Sequence, residues 1–468
     1  MRIRIGSVGR GRHDEARHVT HAASSGRFAG SGARLAIVAL LAVLIAGCSE
    51  PPTERERRVV IDGFETTFEE VREPAVVEVD CGATHAGAEI TATEFVGRTA
   101  EQATYLHYTP DEDWNGELVL YARGYVPPGF LNLLVIAFLR GDVSDPRLQE
   151  IVDLRNALLC DGYAFALSAY ADDGYAVEEG FRDTHLLNAL FAWHGEEPTR
   201  TYVMGHSMGA LIATALLESF PHAYQGGLAT CGPLGGSLLQ MDYIGNVRVV
   251  FDQLFPGVIE GDVLTPTEQT FDEVVAAVVQ ALADADPALI ELLASVTVAG
   301  QVPATVHDAG LPAGVVRLLR HDPVDPDAAA LGDALARPLF YEVAGKEDVL
   351  ARGDGGLSFD NLDAIYLPEE VDPEEAPVPR YAGDLGAVEY FGDWYTSSGT
   401  LTRPLRVVHS EFDADVPAFH VDAYLAGLDV FGRDLVDAVI IPGDTSHCVM
   451  STDALYGHFQ ELVQAATP

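Results

Sequence analysis

The stretch TYVMGHSMGALIATALL (Thr201–Leu217) decides how the chain is read. Thr201–Met204 is suited to a short strand, Gly-His-Ser-Met-Gly follows, and an apolar helical run comes after it. Either Ser207 is a nucleophile raised on a sharp strand-to-helix turn, or Gly205 and Gly209 only let a strand pack close to a helix. The motif alone does not choose. With 45 glycines and 17 serines in 468 residues, chance predicts roughly 0.16 Gly-x-Ser-x-Gly matches, so context has to decide.

The surrounding sequence supplies that context. Strand-like GELVLYARGY (116–125) leads to a helical LQEIVDLRNALLCDG closed by Gly162. YAFALSAY reads as a buried strand, and EEGFRDTHLLNALFAWHG as an amphipathic helix ending at Gly195. After Thr201–Leu217 comes another short strand, from Gly226 to about Leu234. Strands alternating with helices imply right-handed crossovers and a parallel sheet. Before this rhythm, residues 59–109 alternate β-rich and polar runs, the pattern of an antiparallel start. The rhythm breaks at Gly235. Residues 235–400 hold a helix-rich block and a Pro/Asp/Gly-rich stretch, which reads as a cap inserted into one sheet. It returns at PLRVVHSEFDADVP and DAVIIPGDTSHCVM, so residues 59–234 and 401–468 form the two parts of one core.

Serine chemistry needs partners. A hydroxyl becomes a nucleophile when a histidine takes its proton, and a carboxylate must orient that histidine. Where the nucleophile is the serine of a Gly-x-Ser-x-Gly turn between strand and helix, the chain order is serine, acid, histidine. Asp413 stands in a loop after one strand and His447 after the last, both at strand ends where catalytic groups of open α/β sheets gather.

On these residues the chain resembles the α/β-hydrolase superfamily, and within it secreted bacterial serine esterases and prolyl-oligopeptidase-like hydrolases. The acid loop of that family is often HGxxDxxVP. Here it is His409-Ser410-Glu411-Phe412-Asp413-Ala414-Asp415-Val416-Pro417, and alignment on Val416-Pro417 puts the acid on Asp413. Asp415 is then expected to cap the helix after Pro417. The family histidine, often in GHC, falls on His447 in SHC. The resemblance implies an oxyanion hole made by the backbone N–H groups of Met208 and Tyr125, with Arg123 standing where the family often has histidine. Tannases and feruloyl esterases have a cysteine directly before the serine; His206 stands there instead.

Composition bounds the rest. The chain has 28 basic and 71 acidic residues, a net charge of −43, and one lysine, Lys346. Such a surface repels nucleic acid and anionic lipid, so nucleic acid is not an expected partner. Residues 1–34 carry seven arginines, and an apolar run of twelve, LAIVALLAVLIA, follows. Twelve apolar residues suit a signal h-region better than a membrane span. Ile45-Ala46-Gly47-Cys48 resembles a bacterial lipobox. The expectation is a signal peptide over 1–47, lipidation of Cys48, a polar tether over 48–58, and an extracytoplasmic, lipid-anchored location.

In an oxidising compartment Cys81, Cys160, Cys231 and Cys448 allow three pairings. Cys231 and Cys448 belong to loops at the same edge of the sheet, so a bridge between them is expected to pin the histidine loop. No CxxC or Cys/His metal spacing is present, and the triad chemistry asks for no metal or organic cofactor. The expected protein is thus a lipid-anchored serine hydrolase of small-molecule esters or amides. A prolyl-oligopeptidase-type peptidase, and a non-catalytic ligand-binding lipoprotein on the same scaffold, stand as alternatives.

Overall fold

A computed structural model describes residues 57–467, apart from 83–86, 130–145, 196, 268, 291–314, 317–327, 367–368 and 448. The apolar run, Cys48 and most of the tether lie outside the described residues. Among those described, no helix is long and apolar enough to cross a membrane.

The chain opens with β1 (Arg58–Ile61), β2 (Phe64–Glu70), β3 (Ala75–Asp80), β4 (Glu89–Thr99) and β5 (Thr104–Pro110), all joined antiparallel. Then β6 (Glu117–Ala122), α1 (Pro146–Cys160), β7 (Ala164–Ser168), α2 (Val177–His194), β8 (Arg200–His206), α3 (Met208–Ser219) and β9 (Gly226–Thr230) keep the expected rhythm. After the insertion it resumes with β12 (Leu405–Ser410), α9 (Phe419–Gly427), α10 (Val430–Arg433), β13 (Val436–Ile441) and α11 (Thr452–Ala466).

The sheet runs β1-β2-β4-β5-β7-β6-β8-β9-β12-β13, with β3 branching from β4. From β7 to β13 every neighbouring pair is parallel, while β5 meets β7 antiparallel. Strands β4 to β13 therefore follow the order of an α/β-hydrolase sheet, extended by antiparallel N-terminal strands. The two faces are separated by strand alternation. Leu118, Leu120 and Ala122 of β6 join the core under α2 and α3. Val119 and Tyr121 join the core under α1 and α11. The winding of the sheet reverses at β6, between β7 and β8. The carboxyl ends of β6 and β8 thus flank the switch point where such sheets bind ligands.

Cys81, just after β3, is bridged to Cys160 at the end of α1. Closing a loop with a sequence separation of 79 residues constrains the unfolded chain by about 4 kcal/mol on the chain-entropy account. Replacing both cysteines by serine is expected to lower stability by that order, read as a shifted urea midpoint. An unchanged midpoint would show that the bridge contributes nothing.

The inserted residues form α4 (Ser237–Leu254), α5 (Phe271–Ala283), β10 (Val315–Val316), α6 (Ala328–Ala344), α7 (Lys346–Arg352), β11 (Ile365–Tyr366) and α8 (Leu385–Asp393). They bury a core of their own, with Val247, Phe251, Val274, Val278, Leu335 and Leu339 among its members. The end of the insertion does not belong to that core. Ala387, Phe391 and Tyr395 pack into the main one instead. Inside the cap, fully buried Arg248 binds Asp252 (2.7 Å) and Glu342 (2.8 Å). Lys346, also buried, pairs with Glu342 and donates to the Asp262 carbonyl at 2.6 Å. These buried charges are tolerated because each is paired and hydrogen-bonded. Arg352 of α7 reaches Glu179 of α2 (3.0 Å) and Asp348 (2.8 Å), and Asp348 accepts the Tyr175 N–H at 2.7 Å. Charge-assisted bonds therefore fasten the cap to the core.

Candidate active site

The strand-to-helix turn at Ser207, an elbow in the chain, is built from close backbone packing. Ser207 lies between β8 and α3 with φ +53° and ψ −129°, a conformation that costs a non-glycine residue about 1–3 kcal/mol. Its N–H donates to the Thr230 carbonyl (2.9 Å), and its carbonyl accepts from Ala210 N–H (2.9 Å). A Cβ at Gly209 would lie 2.0 Å from the Ala122 carbonyl oxygen, and one at Gly205 would lie 2.3 Å from the Gly209 oxygen. Backbone approaches of this kind exclude any side chain. They hold Ser207 at the tip of the turn.

The acid loop leaves β12. Asp413 is buried; its Oδ1 accepts the N–H groups of Asp415 (2.9 Å) and Val416 (3.1 Å). Its Oδ2 lies 2.7 Å from His447 Nδ1, and His447 Nε2 lies 2.9 Å from Ser207 Oγ. The histidine loop after β13 is anchored to the acid loop: Asp444 accepts from Ser410 Oγ (2.9 Å), and its carbonyl accepts from Phe412 N–H (2.8 Å). Serine, histidine and carboxylate thus form one hydrogen-bonded line from three loops.

The electrostatics of that line are uneven. Burial pushes the His447 imidazole toward the neutral form, but the Asp413 and then the Asp415 charges overcome it and carry its pKa up to about 10. Asp415 itself is raised to about 6 by burial, against the pull of His447.

Arg123-Gly124-Tyr125 runs beside the elbow. A Cβ on Gly124 would lie 3.3 Å from Ser207 Cβ and 2.8 Å from His206 Nε2. Arg123 braces this turn from behind. Its guanidinium donates to the carbonyls of Ala169 (2.8 and 3.0 Å), Asp172 (2.9 Å) and Gly124 (3.0 Å), and lies 4.2 Å over the Tyr170 ring. Tyr125 and Met208 line one cavity with Ser207 and His447. That cavity, of about 90 Å³, is walled by apolar cap residues including Met241, Ile244, Val263, Leu357 and Phe359. The Tyr125 ring meets the Tyr341 ring of the cap edge-on, centroids 5.3 Å apart.

The other histidines and acids near the motif have structural partners. His206 stacks on Tyr121 and bonds its hydroxyl. His420 is buried against Gln240 Oε1 at 2.9 Å. His185 joins Tyr224 and Asp62, and His222 also reaches Asp62. Asp183 accepts from Ala171 N–H at 2.7 Å. Cys231, after β9, lies 3.8 Å from Ser410 Oγ; Cys448 lies outside the described residues. Cys231, His409 and Asp413 place donor atoms within 4.8 Å of one another. Both Asp413 oxygens are already committed to His447 and the acid loop, which leaves that group poorly suited to a metal.

Asp415 departs from expectation. It does not cap the next helix: the N-cap of α9 is Ala418, with no side-chain bond. Its side chain lines the cavity instead, within 3.5 Å of Tyr341 Oη and 3.6 Å of Arg337 Nη1, both on α6. Gln240 Nε2 donates to its carbonyl (2.9 Å), and Tyr243 Oη to the Ala414 carbonyl (2.5 Å). The cap thus grips the acid loop. The Asp-x-Asp doublet before Val-Pro was the one sequence trace of this.

No protein-family model matches the chain, and no curated protein matches it in sequence. Among solved structures it is similar to a point mutant of the rice cell wall degrading esterase LipA from Xanthomonas oryzae. The identity is 13%, the match covers 84% of this chain and 98% of that one, and the TM-score is 0.44. It is also similar to an esterase from Aspergillus oryzae, at 11% identity, 82% and 80% coverage and TM-score 0.46. A third is the Pyrococcus furiosus esterase Pf2001, at 12% identity, 80% and 91% coverage and TM-score 0.36.

Proposed function

We propose that this α/β-hydrolase-fold chain is a serine hydrolase of carboxylic esters. The observation that carries the reading is the unbroken line Ser207 Oγ–His447 Nε2 (2.9 Å) and His447 Nδ1–Asp413 Oδ2 (2.7 Å) on a strained elbow. Ser207 Oγ adds to the ester carbonyl carbon as His447 Nε2 takes its proton. Asp413 holds Nδ1 protonated and stabilises the imidazolium. The carbonyl oxygen becomes an oxyanion facing the N–H groups of Met208 and Tyr125. Collapse breaks the bond to the alcohol oxygen, which receives the proton from His447, and an acyl-serine remains. Water then repeats the sequence, with His447 as base, and frees the acid. The apolar cavity favours an apolar group on one side of the ester.

The reading includes export and a lipid tether on Cys48. Its support is the Leu35–Cys48 sequence.

A fluorophosphonate probe tests the chemistry. Wild-type protein is expected to be labelled at Ser207, with labelling lost in Ser207→Ala. A folded wild-type protein that the probe leaves unlabelled even at alkaline pH, where His447 is neutral, would favour the non-catalytic alternative. Paired p-nitrophenyl ester and peptidyl-amide substrates separate esterase from peptidase.

A further inference from the structure

We propose that Asp415 is a positioning residue: a second carboxylate, held by the cap, that faces His447 beside Asp413 and stabilises the imidazolium formed when Ser207 gives up its proton. This rests on the reading of Ser207, His447 and Asp413 as a working triad. A single carboxylate is enough to orient a histidine. Here two leave the same turn, since Asp415 N–H binds Asp413 Oδ1 at 2.9 Å. Asp415 is only 3% exposed, yet it lines the cavity that holds Ser207 and His447. An isolated buried carboxylate would be costly. Tyr341 Oη at 3.5 Å and Arg337 Nη1 at 3.6 Å lower that cost, and both belong to cap helix α6.

The charged and titratable groups around His447 come from every side of it. The acid loop contributes Asp413 and Asp415, the end of β9 contributes Cys231, and α6 contributes Arg337 and Tyr341 behind Asp415. Tyr243 of α4 stands behind the same loop, its phenol pushed up by burial and then by the Asp415 and Asp413 charges. Glu342 and Lys346 also line the cavity but pair with each other. The net effect on the imidazole is negative charge, which carries its pKa up to about 10 against the effect of burial. A protonated His447 cannot act as base. Activity therefore rises as the pH climbs through that value, so the acidic limb of the profile lies well above the usual histidine value near 6.5.

The test is the pH profile of kcat/KM on a soluble p-nitrophenyl ester, with spontaneous hydrolysis subtracted. Wild type is expected to show its acidic limb above about 8. Asp415→Asn should move that limb down by about one to two pH units and lower the alkaline plateau. Asp415→Glu should keep the limb near the wild-type position. A mere packing defect scales the whole curve and leaves the limb in place; that result overturns the proposal. A wild-type limb near 6.5 overturns it too, and this arm holds even if Asp415→Asn does not fold. Failure of the triad reading looks different: Ser207→Ala would then hydrolyse the ester as fast as wild type.

Discussion

Ser207→Ala is expected to lower kcat for ester hydrolysis by about 10⁶-fold, His447→Ala by a similar factor, and the double variant no further. The members of a triad act as a unit. Once the serine has no base, or the base no serine, the second deletion removes nothing that still works. Asp413→Asn should cost about 10⁴-fold. It keeps the shape of the acid loop but presents an amide to His447 Nδ1 where a carboxylate stands 2.7 Å away. Steady-state kinetics on purified variants, beside thermal melts showing that each is folded, give the answer. A Ser207→Ala protein that retains a hundredth of wild-type kcat would exclude the acyl-enzyme route. So would single losses that multiply in the double variant.

Gly209→Ala is expected to destroy the elbow. The new Cβ would fall 2.0 Å from the Ala122 carbonyl oxygen, 2.6 Å from its carbon and 2.7 Å from the Arg123 oxygen. All three are backbone atoms of the turn that carries Tyr125, so neither a rotamer change nor a small shift relieves the contact. A loss above about 4 kcal/mol, seen as failure to recover folded protein, is the expected outcome. Gly457 provides the contrast. It lies exposed within α11, and a Cβ there meets nothing within 4 Å. Gly457→Ala should raise stability by up to about 1 kcal/mol through helix propensity alone. If Gly209→Ala melts like wild type, the close packing assigned to the elbow is wrong.

What could be read from the sequence was local. Ser207 with its two glycines, Asp413 before Val416-Pro417 and His447 after a final strand each sit in a short pattern, and chain order supplied their relation. The alternation of strand and helix gave the parallel sheet, because periodicity and turn residues lie within single windows. Asp415 escaped that reading. Capping is a local rule, and here contacts with Tyr341 and Arg337, more than 70 residues away, overrode it. The Cys81–Cys160 bridge escaped for a related reason: four cysteines permit three connectivities, and only the packing of α1 beside β3 selects one. The cap core was illegible too. Its members come from α4, α5 and α6 and from segments between and after them, Val263, Phe359 and Tyr366 among these, and no repeat or motif announces which faces meet.

The buried cap cluster also determines where the chain offers amines. Lys346 is the single lysine of the sequence, 4% exposed and tied to Glu342 and the Asp262 carbonyl. Its burial holds its pKa below the ordinary lysine value, while Glu342 pulls the other way. The outer surface therefore presents no lysine to reagents that acylate amines. Lys346 lines the cavity beside Ser207, so its side chain can meet such a reagent only by way of the cavity or after the cap has come away. In this chain, lysine modification therefore reports access to the cavity or exposure of the cap core, read without any engineered label.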